Sequence, residues 1–137
     1  MKLVSACLAD VKCRYDGKAK PNRKVVGMVR KGEAIPVCPE QLGGLTTPRP
    51  ATELINDHAF TCDGRDVTKA LAKGAEEALK IAKLAGCTEA ILKARSPSCG
   101  SGEIYDGSFS GKPVKGDGIT AALLKKNGIM VCTEECI

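Results

Sequence analysis

The chain has 137 residues, a size typical of one domain, and its 43% hydrophobic content argues against disorder. Aromatic residues make up only 3% and tryptophan is absent, which disfavours single-stranded nucleic-acid binding through stacked rings. The formal charge of +5 is spread along the chain, a pattern that suits small anionic ligands better than a nucleic-acid surface. No stretch approaches the roughly 20 apolar residues of a membrane span, and we expect a cytoplasmic protein.

Short apolar runs alternate with amphipathic segments along the chain. The predicted strands cover 2–8, 34–38, 89–94 and 129–132. The first two predicted helices cover 23–31 and 67–85, with Asn22 and Asp66 as caps. The last helix is predicted to begin at Asp117 or Thr120 and to end at Asn127-Gly128.

The connection before the long helix is rich in proline and glycine. We expect a short helical turn near Pro50, followed by a hairpin with its turn at Asp63-Gly64. Because strands alternate with helices, the sequence predicts an α/β fold: a Rossmann-like three-layer sandwich with a mostly parallel sheet, plus this small hairpin. We expect one domain over 1–137.

Eight cysteines are many for a chain of this size, and in a reducing compartment they point to metal, cluster or thiol chemistry. Cys7 and Cys38 lie at the carboxyl ends of the first two predicted strands, and Cys99 follows the end of the third. In an open parallel sheet these ends share one edge, where ligands bind. The three thiols are therefore predicted to converge.

The remaining cysteines have simpler interpretations. Cys62, Cys87 and Cys132 lie in or near predicted core elements and are expected to be small packing residues. Cys136 is assigned to the tail, and Cys13 is ambiguous: a fourth ligand, a nearby thiol or a packing residue.

Three converging thiolates favour a cluster over a structural zinc site, because zinc sites use four ligands and the chain has no C-x-x-C pair. A [4Fe–4S] cluster held by three cysteines keeps one iron open for a substrate atom. Gly100 and Gly102 are interpreted as small residues that make room for the cluster. His58 lies far from the strand ends, so a histidine-based site is disfavoured.

Three polar residues next to the proposed ligands are candidate catalytic groups. Glu40 follows Cys38 by two residues and is the best acid/base candidate, with Glu103 a weaker second. Ser96 and Ser98 flank Pro97, and either hydroxyl could reach the same crevice. For any single serine, a turn that bonds its own backbone is the more common role.

Four long motifs make the chain recognisable. They are SACL-x4-CRYDG at 5–17, PVCPEQLGGLTTPRP at 36–50, ILKARSPSCGSGEIYDGSFSG at 91–111 and GDGITAALLKKNGI at 116–129. Together they resemble the thiouracil desulfidase family over nearly the whole chain. The resemblance implies a [4Fe–4S] cluster held by Cys7, Cys38 and Cys99.

The resemblance also implies a reaction. The family removes sulfur from a thiolated pyrimidine without redox change, and Glu40 matches the carboxylate that activates water. Ser96 and Ser98 match serines near the substrate. Family substrates look like 2- or 4-thiouracil and thiouridine nucleotides, so a free base or nucleotide is the expected partner.

Other functions stay open on the sequence alone. A cluster- or metal-binding module without catalysis is one, and a fourth ligand from Cys13 favours it. A cluster-free enzyme with Cys99 as nucleophile is another. The third is a small-molecule-binding α/β domain in which the cysteines only pack.

Overall fold

Four parallel strands form the central sheet of the structure, a computed structural model that describes residues 1–137. The strands of the chain are β1 Lys2–Ser5, β2 Ala34–Val37, β3 Thr52–Ile55, β4 His58–Thr61, β5 Glu89–Leu92, β6 Glu103–Tyr105, β7 Pro113–Lys115 and β8 Met130–Thr133. The α-helices are α1 Arg23–Arg30, α2 Pro39–Leu42, α3 Thr68–Leu84 and α4 Ile119–Lys126. Short 3-10 turns follow β1 and β8, at Ala6–Ala9 and Glu134–Cys136.

The strand order of the central sheet is β2-β1-β5-β8, and every neighbouring pair is parallel. From β1 the chain moves to β2 on one side, and it later crosses to β5 on the other side. Connections that diverge in this way leave a crevice at the carboxyl ends of β1 and β5. The parallel sheet confirms the predicted α/β class, and its order is information that the sequence pattern lacked.

Helices cover both faces of the sheet and make three layers. On one face, Val25 of α1 packs with Val4 and Ile91 of the sheet. On the other face, α3 and α4 pack against Leu3 and Leu92. The helix residues of that second core are Ala78, Ala82, Ala121 and Leu124. Small side chains on α3 let it approach the sheet closely, and the burial of these apolar surfaces stabilises the fold.

Asn22 caps α1 as predicted, whereas the N-cap of α3 is Val67 and the predicted cap, Asp66, lies one residue before it. The Oδ1 atom of Asn22 accepts the backbone N–H groups of Lys24 and Val25, at 3.0 and 3.3 Å. The Asp66 carboxylate accepts the N–H of Thr68 at 2.9 Å at the start of α3. Each contact satisfies donors that the first turn of a helix leaves unpaired.

The predicted hairpin is displaced. β3 pairs with β4, and the turn between them is Asn56-Asp57, where both residues have positive φ (49° and 66°). Two left-handed residues match the twist of a two-residue hairpin. Asp63-Gly64 does form a turn, but it returns the chain only to a single bridge between Phe60 and Asp66. The helical turn expected near Pro50 is wrong, since β3 follows it.

Two further elements were missed by the sequence prediction. The stretch 95–116, for which the sequence predicts no strand or helix, contains the antiparallel pair β6–β7. α2 forms directly after β2, with Pro39 in its first turn. α2 approaches α3 so closely that a Cβ atom on Gly43 would overlap the carbonyl of Ala70, and one on Gly74 would overlap the carbonyl of Pro39. This contact sets where α2 lies at the edge of the sheet.

Candidate functional site

A cleft of about 370 Å³ opens at the carboxyl edge of the central sheet. Its walls come from the segments after β1, β2 and β5, and β3 and β6 close one side. This is the crevice that the strand order predicts. Half of the cysteines of the chain line it: Cys7, Cys13, Cys38 and Cys99.

Each of these thiols reaches the cleft from a different piece of local structure. Cys7 lies in the 3-10 turn after β1, and Cys13 lies in the loop that leads to α1. Cys38 is the N-cap of α2. Cys99 lies in the loop after β5. All four are free cysteines, and three of them are buried while Cys38 is half-buried. The structure therefore brings the three predicted ligands together, with Cys13 beside them.

Burial and mutual contact change the acidity of the thiols. The Cys13 thiol, together with burial, raises the pKa of Cys38 far above its ordinary value. The contact with Cys38 lowers the pKa of Cys13, but the contact with Cys7 and burial outweigh it and raise that pKa to about 11. Burial raises the pKa of Cys99 to about 12. Cys13, Cys38 and Cys99 are thus protonated at neutral pH and must lose their protons to bind a metal.

The loop that carries Cys99 is held by its own backbone. The Ser96 hydroxyl accepts the N–H groups of Ser98 and Cys99, at 3.2 and 3.0 Å. The N–H of Gly100 donates to the Ser96 carbonyl at 2.8 Å. These bonds form a tight turn of the kind that serine hydroxyls stabilise, and they point Cys99 toward the thiols of the other segments.

The two glycines of this loop have local roles. A Cβ atom on Gly100 would lie 2.8 Å from the carbonyl oxygens of Ser96 and Glu103, so the protein's own backbone demands glycine there. Gly102 has a φ of 84°, a left-handed conformation that favours glycine. These constraints of the loop account for both glycines, and their role in making room for a cluster stays a prediction.

The structure separates the two candidate serines. Ser96 lines the cleft. Ser98 does not: its side chain is completely buried, and its hydroxyl forms a 2.7 Å hydrogen bond with that of Thr120 in α4. The chain turns at Pro97–Cys99, so the Ser98 side chain faces α4 while Ser96 faces the cleft. Ser98 is therefore corrected from a substrate contact to a packing residue, and Ser96 stays a candidate.

Glu40 lies in the first turn of α2 and lines the cleft. Its Oε2 atom lies 3.4 Å from a guanidinium nitrogen of Arg49, and its side chain is 16% exposed. The carboxylate is thus held in the wall of the cleft next to a cation. Glu103, the second acid/base candidate, does not line the cleft and pairs with Arg95 at 3.4 Å.

Arg49 is a functional candidate that the sequence prediction missed. Its side chain is only 4% exposed, and one Nη2 atom donates to the carbonyl of Cys13 at 2.9 Å as well as to Glu40. The residue stands between two prolines in an irregular loop. The only signal in the sequence was its place in a motif shared with the desulfidase family.

A second missed feature is the attachment of the C-terminus to the cleft. Glu134 accepts the N–H of Ala94 at 2.8 Å and the ammonium of Lys93 at 2.6 Å. Glu135 pairs with both terminal nitrogens of Arg95, at 3.0 and 2.5 Å, and this pair raises the pKa of Arg95. The segment predicted as a tail therefore supports the strand end that leads to Ser96.

The other cysteines and the histidine lie outside the cleft. Cys87 packs in the core beneath α3 and α4, as predicted. Cys132 is half-buried, whereas Cys62 is exposed, so its assignment as a buried packing residue is wrong. The turn that contains Asp63 carries Cys62 into solvent. His58 is exposed on β4, away from the cleft.

The donor set of the cleft suits a cluster better than a single ion. No three His, Cys, Asp or Glu side chains lie close enough to share one metal ion. Ligands of a cluster bind different iron atoms, so they need not approach as closely, and thiolates are the usual ligands of iron–sulfur clusters. The Nε atom of Arg49 is buried and has no hydrogen-bond partner in the protein, which leaves an unpaired donor on a residue that lines the cleft. The residues present thus fit an iron–sulfur cluster.

Fold and site together define an α/β protein with a thiol-lined cleft at the switch point of a parallel sheet. The family model described as 2-thiouracil desulfurase matches residues 3–136, and the chain belongs to this family. A solved structure of the [4Fe-4S]-dependent thiouracil desulfidase TudS superposes with a TM-score of 0.94. The two chains are 44% identical, and the match covers 98% of this chain and 91% of that one. The uncharacterized protein YbbK of Bacillus subtilis (strain 168) is 43% identical over 98% of this chain and 95% of its own.

These comparisons confirm three predictions: the thiouracil desulfidase family, the α/β fold, and an enzyme rather than a packing or binding domain alone. The structural relative is named as dependent on a [4Fe-4S] cluster. None of the helices combines the length and the apolar character that crossing a membrane requires.

Proposed function

We propose that the whole chain, 1–137, is one desulfidase domain that binds a [4Fe–4S] cluster through Cys7, Cys38 and Cys99. It would convert a thiolated pyrimidine to the oxo form with release of sulfide. The observation that carries the proposal is the convergence of these thiols, from three strand ends, on one cleft. The family, and the cluster named for the structural relative, support the same reading.

The three-thiolate set decides what a bound cluster supplies. With three protein ligands, one iron would keep an open position and act as a thiophilic Lewis acid toward the C=S group of a substrate. The overall change is C=S plus water to C=O plus hydrogen sulfide, which transfers no net electrons.

Glu40 is proposed as the general base. Its carboxylate lies in the cleft wall on the first turn of α2, two residues after Cys38. From there it would take a proton from water as the oxygen adds to the ring carbon, and it would return a proton to the departing sulfur. General bases of this kind contribute roughly 10²- to 10⁴-fold to a rate.

Ser96 is proposed to contact the substrate. Its hydroxyl accepts two backbone N–H groups and lines the cleft, and its own proton would be donated to the bound substrate. A thiouracil ring presents a second exocyclic group, a carbonyl oxygen, that accepts such a bond.

The cleft favours a small substrate with negative charge. Its volume of about 370 Å³ is at the low end of the range for small-molecule sites. Five cations and two carboxylates line it, and Lys20 is one cation that makes no ion pair. We therefore propose a thiouracil base or a thiouridine nucleotide as substrate, with the phosphate of a nucleotide attracted by these charges.

The fourth thiol favours one alternative. Cys13 is buried beside Cys7 and Cys38, and a cluster with four protein ligands would have no open iron. That arrangement is typical of a binding or electron-transfer module. Cys13→Ala decides between the two: retention of iron supports three ligands, whereas loss of iron with retention in Cys7→Ala would move the first ligand from Cys7 to Cys13.

The test of the proposed function is reconstitution without oxygen. We expect a brown protein with about four irons per chain and release of sulfide from 2-thiouracil, 4-thiouracil or a thiouridine monophosphate. Glu40→Ala should keep the iron and the visible spectrum while the rate falls by roughly 10²-fold or more. Glu33→Ala is the matched control, because that glutamate is exposed and outside the cleft. A colourless protein without iron, or a wild-type rate in Glu40→Ala, contradicts the cluster or the general base respectively.

A further inference from the structure

Arg49 is the one buried cation of the cleft. The guanidinium group carries five N–H donors on a planar fork, so it can hold several acceptors in a fixed relation. Its Nη1 atom donates to the carbonyl of Thr46 at 3.2 Å and to the hydroxyl of Thr47 at 2.9 Å. Its Nη2 atom donates to the carbonyl of Cys13 at 2.9 Å and to Glu40 at 3.4 Å.

These contacts join three separate segments at one point. They are the loop after β1, through Cys13; α2, through Glu40; and the loop that carries Arg49 itself. Gln41 of α2 also donates to the Thr47 hydroxyl at 2.8 Å, so the same loop holds α2 twice. A carboxylate on a four-residue helix would otherwise be free to turn into solvent, and the fork opposes that motion.

One donor of the fork is unused. The Nε atom is buried, and it is the only such side-chain nitrogen or oxygen without a partner in the protein. Buried polar groups are almost always paired, and exceptions call for an explanation such as a bound group. The charge of Arg49 also acts on the sulfur atoms of Cys13 and Cys38. An unpaired N–H on this same buried guanidinium suits a group that the thiols hold.

We propose that Arg49 is the positioning residue of the site: its guanidinium aligns the Glu40 carboxylate, and its free Nε–H is reserved for the cluster held by the neighbouring thiols. This inference rests on the proposed function, since it assigns Arg49 a role through Glu40 and toward the cluster. A residue that only connected the loops would hold them equally well. Its removal would not be energetically coupled to that of Glu40 and would not affect the cluster.

A double-mutant cycle tests the first half of the proposal. Arg49→Ala, Glu40→Ala and the double variant are reconstituted without oxygen, and kcat and KM are measured for 2-thiouracil per bound cluster. We expect Arg49→Ala to lower kcat by about 10- to 100-fold with a smaller change in KM, as loss of a group that orients a catalytic residue does. In the Glu40→Ala background the same change should cost less than about threefold.

Arg49→Lys provides a second test in case Arg49→Ala does not fold. Lysine keeps the charge but cannot bond Glu40 and the Cys13 carbonyl through one planar fork, so we expect retained iron and a rate about tenfold below wild type. Millimolar methylguanidine should raise the rate of Arg49→Ala, but not that of the double variant. Arg23→Ala is the control, because Arg23 is exposed on α1 and makes no ion pair.

The reduction potential of the bound cluster tests the second half. Removal of a nearby positive charge and N–H donor destabilises the reduced cluster, so Arg49→Ala should shift the potential to more negative values while Arg23→Ala leaves it unchanged. An unchanged potential overturns this half.

The outcomes separate the two proposals. A wild-type rate in Glu40→Ala overturns the general base and the alignment role together. A slow Glu40→Ala combined with a wild-type rate in Arg49→Lys overturns the alignment role alone. If Arg49→Ala lowers kcat by the same factor in the wild-type and Glu40→Ala backgrounds, the alignment role is also overturned, because independent effects multiply.

Discussion

Cys7 and Cys87 are equally buried, each with 7% of its surface exposed, yet they lie at opposite edges of the sheet. Cys87 precedes β5 at the amino edge and packs among apolar side chains. Cys7 follows β1 at the carboxyl edge and lines a cleft with three other thiols. Burial therefore does not separate a proposed ligand from a packing residue. The edge of the sheet and the presence of neighbouring thiols do.

The largest expected effect comes from removing cleft thiols. Cys38→Ala and Cys99→Ala should lose the cluster and the activity together, because each removes one of the three proposed ligands. Iron analysis and visible absorption after reconstitution measure this loss. Cys87→Ala is the equally buried control and should retain iron, with a modest fall in stability of about 1 kcal/mol. Iron loss in Cys87→Ala would break the distinction between the two edges.

The second largest expected effect comes from Gly74 of α3, and Gly27 of α1 serves as its comparison. A Cβ atom on Gly74 would overlap the Pro39 carbonyl and push α2, which carries Glu40, away from α3. Gly74→Ala should therefore lower the free energy of unfolding by about 1–3 kcal/mol and reduce turnover as well. Denaturant unfolding and sulfide release measure the two changes.

Gly27 provides the matched change, since a Cβ atom there meets nothing within 4 Å. Gly27→Ala in α1 should stabilise the protein by roughly 0.5–1 kcal/mol without a change in turnover. A fall in stability at Gly27, or none at Gly74, would contradict the assigned packing.

The two serines near Cys99 test the boundary of the cleft. Ser98→Ala removes the partner of the buried Thr120 hydroxyl and should cost about 1–3 kcal/mol of stability, with little change in kcat per bound cluster. Ser96→Ala should lower kcat, and it should cost only about 0.5–2 kcal/mol because it removes a turn cap. Thermal unfolding and steady-state kinetics separate them. If Ser98→Ala instead lowers kcat and Ser96→Ala lowers only the stability, Ser98 rather than Ser96 contacts the substrate.

The smallest effect is a pH dependence of the cluster-free protein. Cys13 and Cys99 have pKa values raised to about 11 and about 12, above the ordinary 9.0, so the folded state keeps protons that the unfolded chain loses. The stability that these thiols contribute is fully present below about pH 9 and is lost as the pH rises toward about 11–12. Unfolding by urea at about pH 8 and pH 10.5 should show a larger loss for wild type than for Cys99→Ala. Cys62→Ala, an exposed thiol, should behave as wild type.

Parts of the fold were predictable because they depend on local patterns. The predicted 23–31 and 67–85 agree with α1 and α3, since their apolar residues repeat at helical spacing and Asn22 and Asp66 accept the first N–H groups. β3, with its turn at Asn56-Asp57, was missed because its residues TELI show no strong alternation. The β6–β7 pair was missed because three-residue strands in a Gly/Ser-rich stretch have no periodicity to detect.

For the site, the sequence predicted that Cys7, Cys38 and Cys99 follow strand ends and would share one edge if the sheet is parallel, and its motifs indicated the family. The remaining features of the site depend on the three-dimensional fold. The β2-β1-β5-β8 order placed the thiols around one cleft, and the turn at Pro97–Cys99 left Ser96 in the cleft and Ser98 against α4. The tertiary fold also brought Arg49 within hydrogen-bond distance of Glu40 and the Cys13 carbonyl. Strand order and long-range side-chain pairs depend on contacts between residues far apart in the chain, and a local pattern contains no record of such contacts.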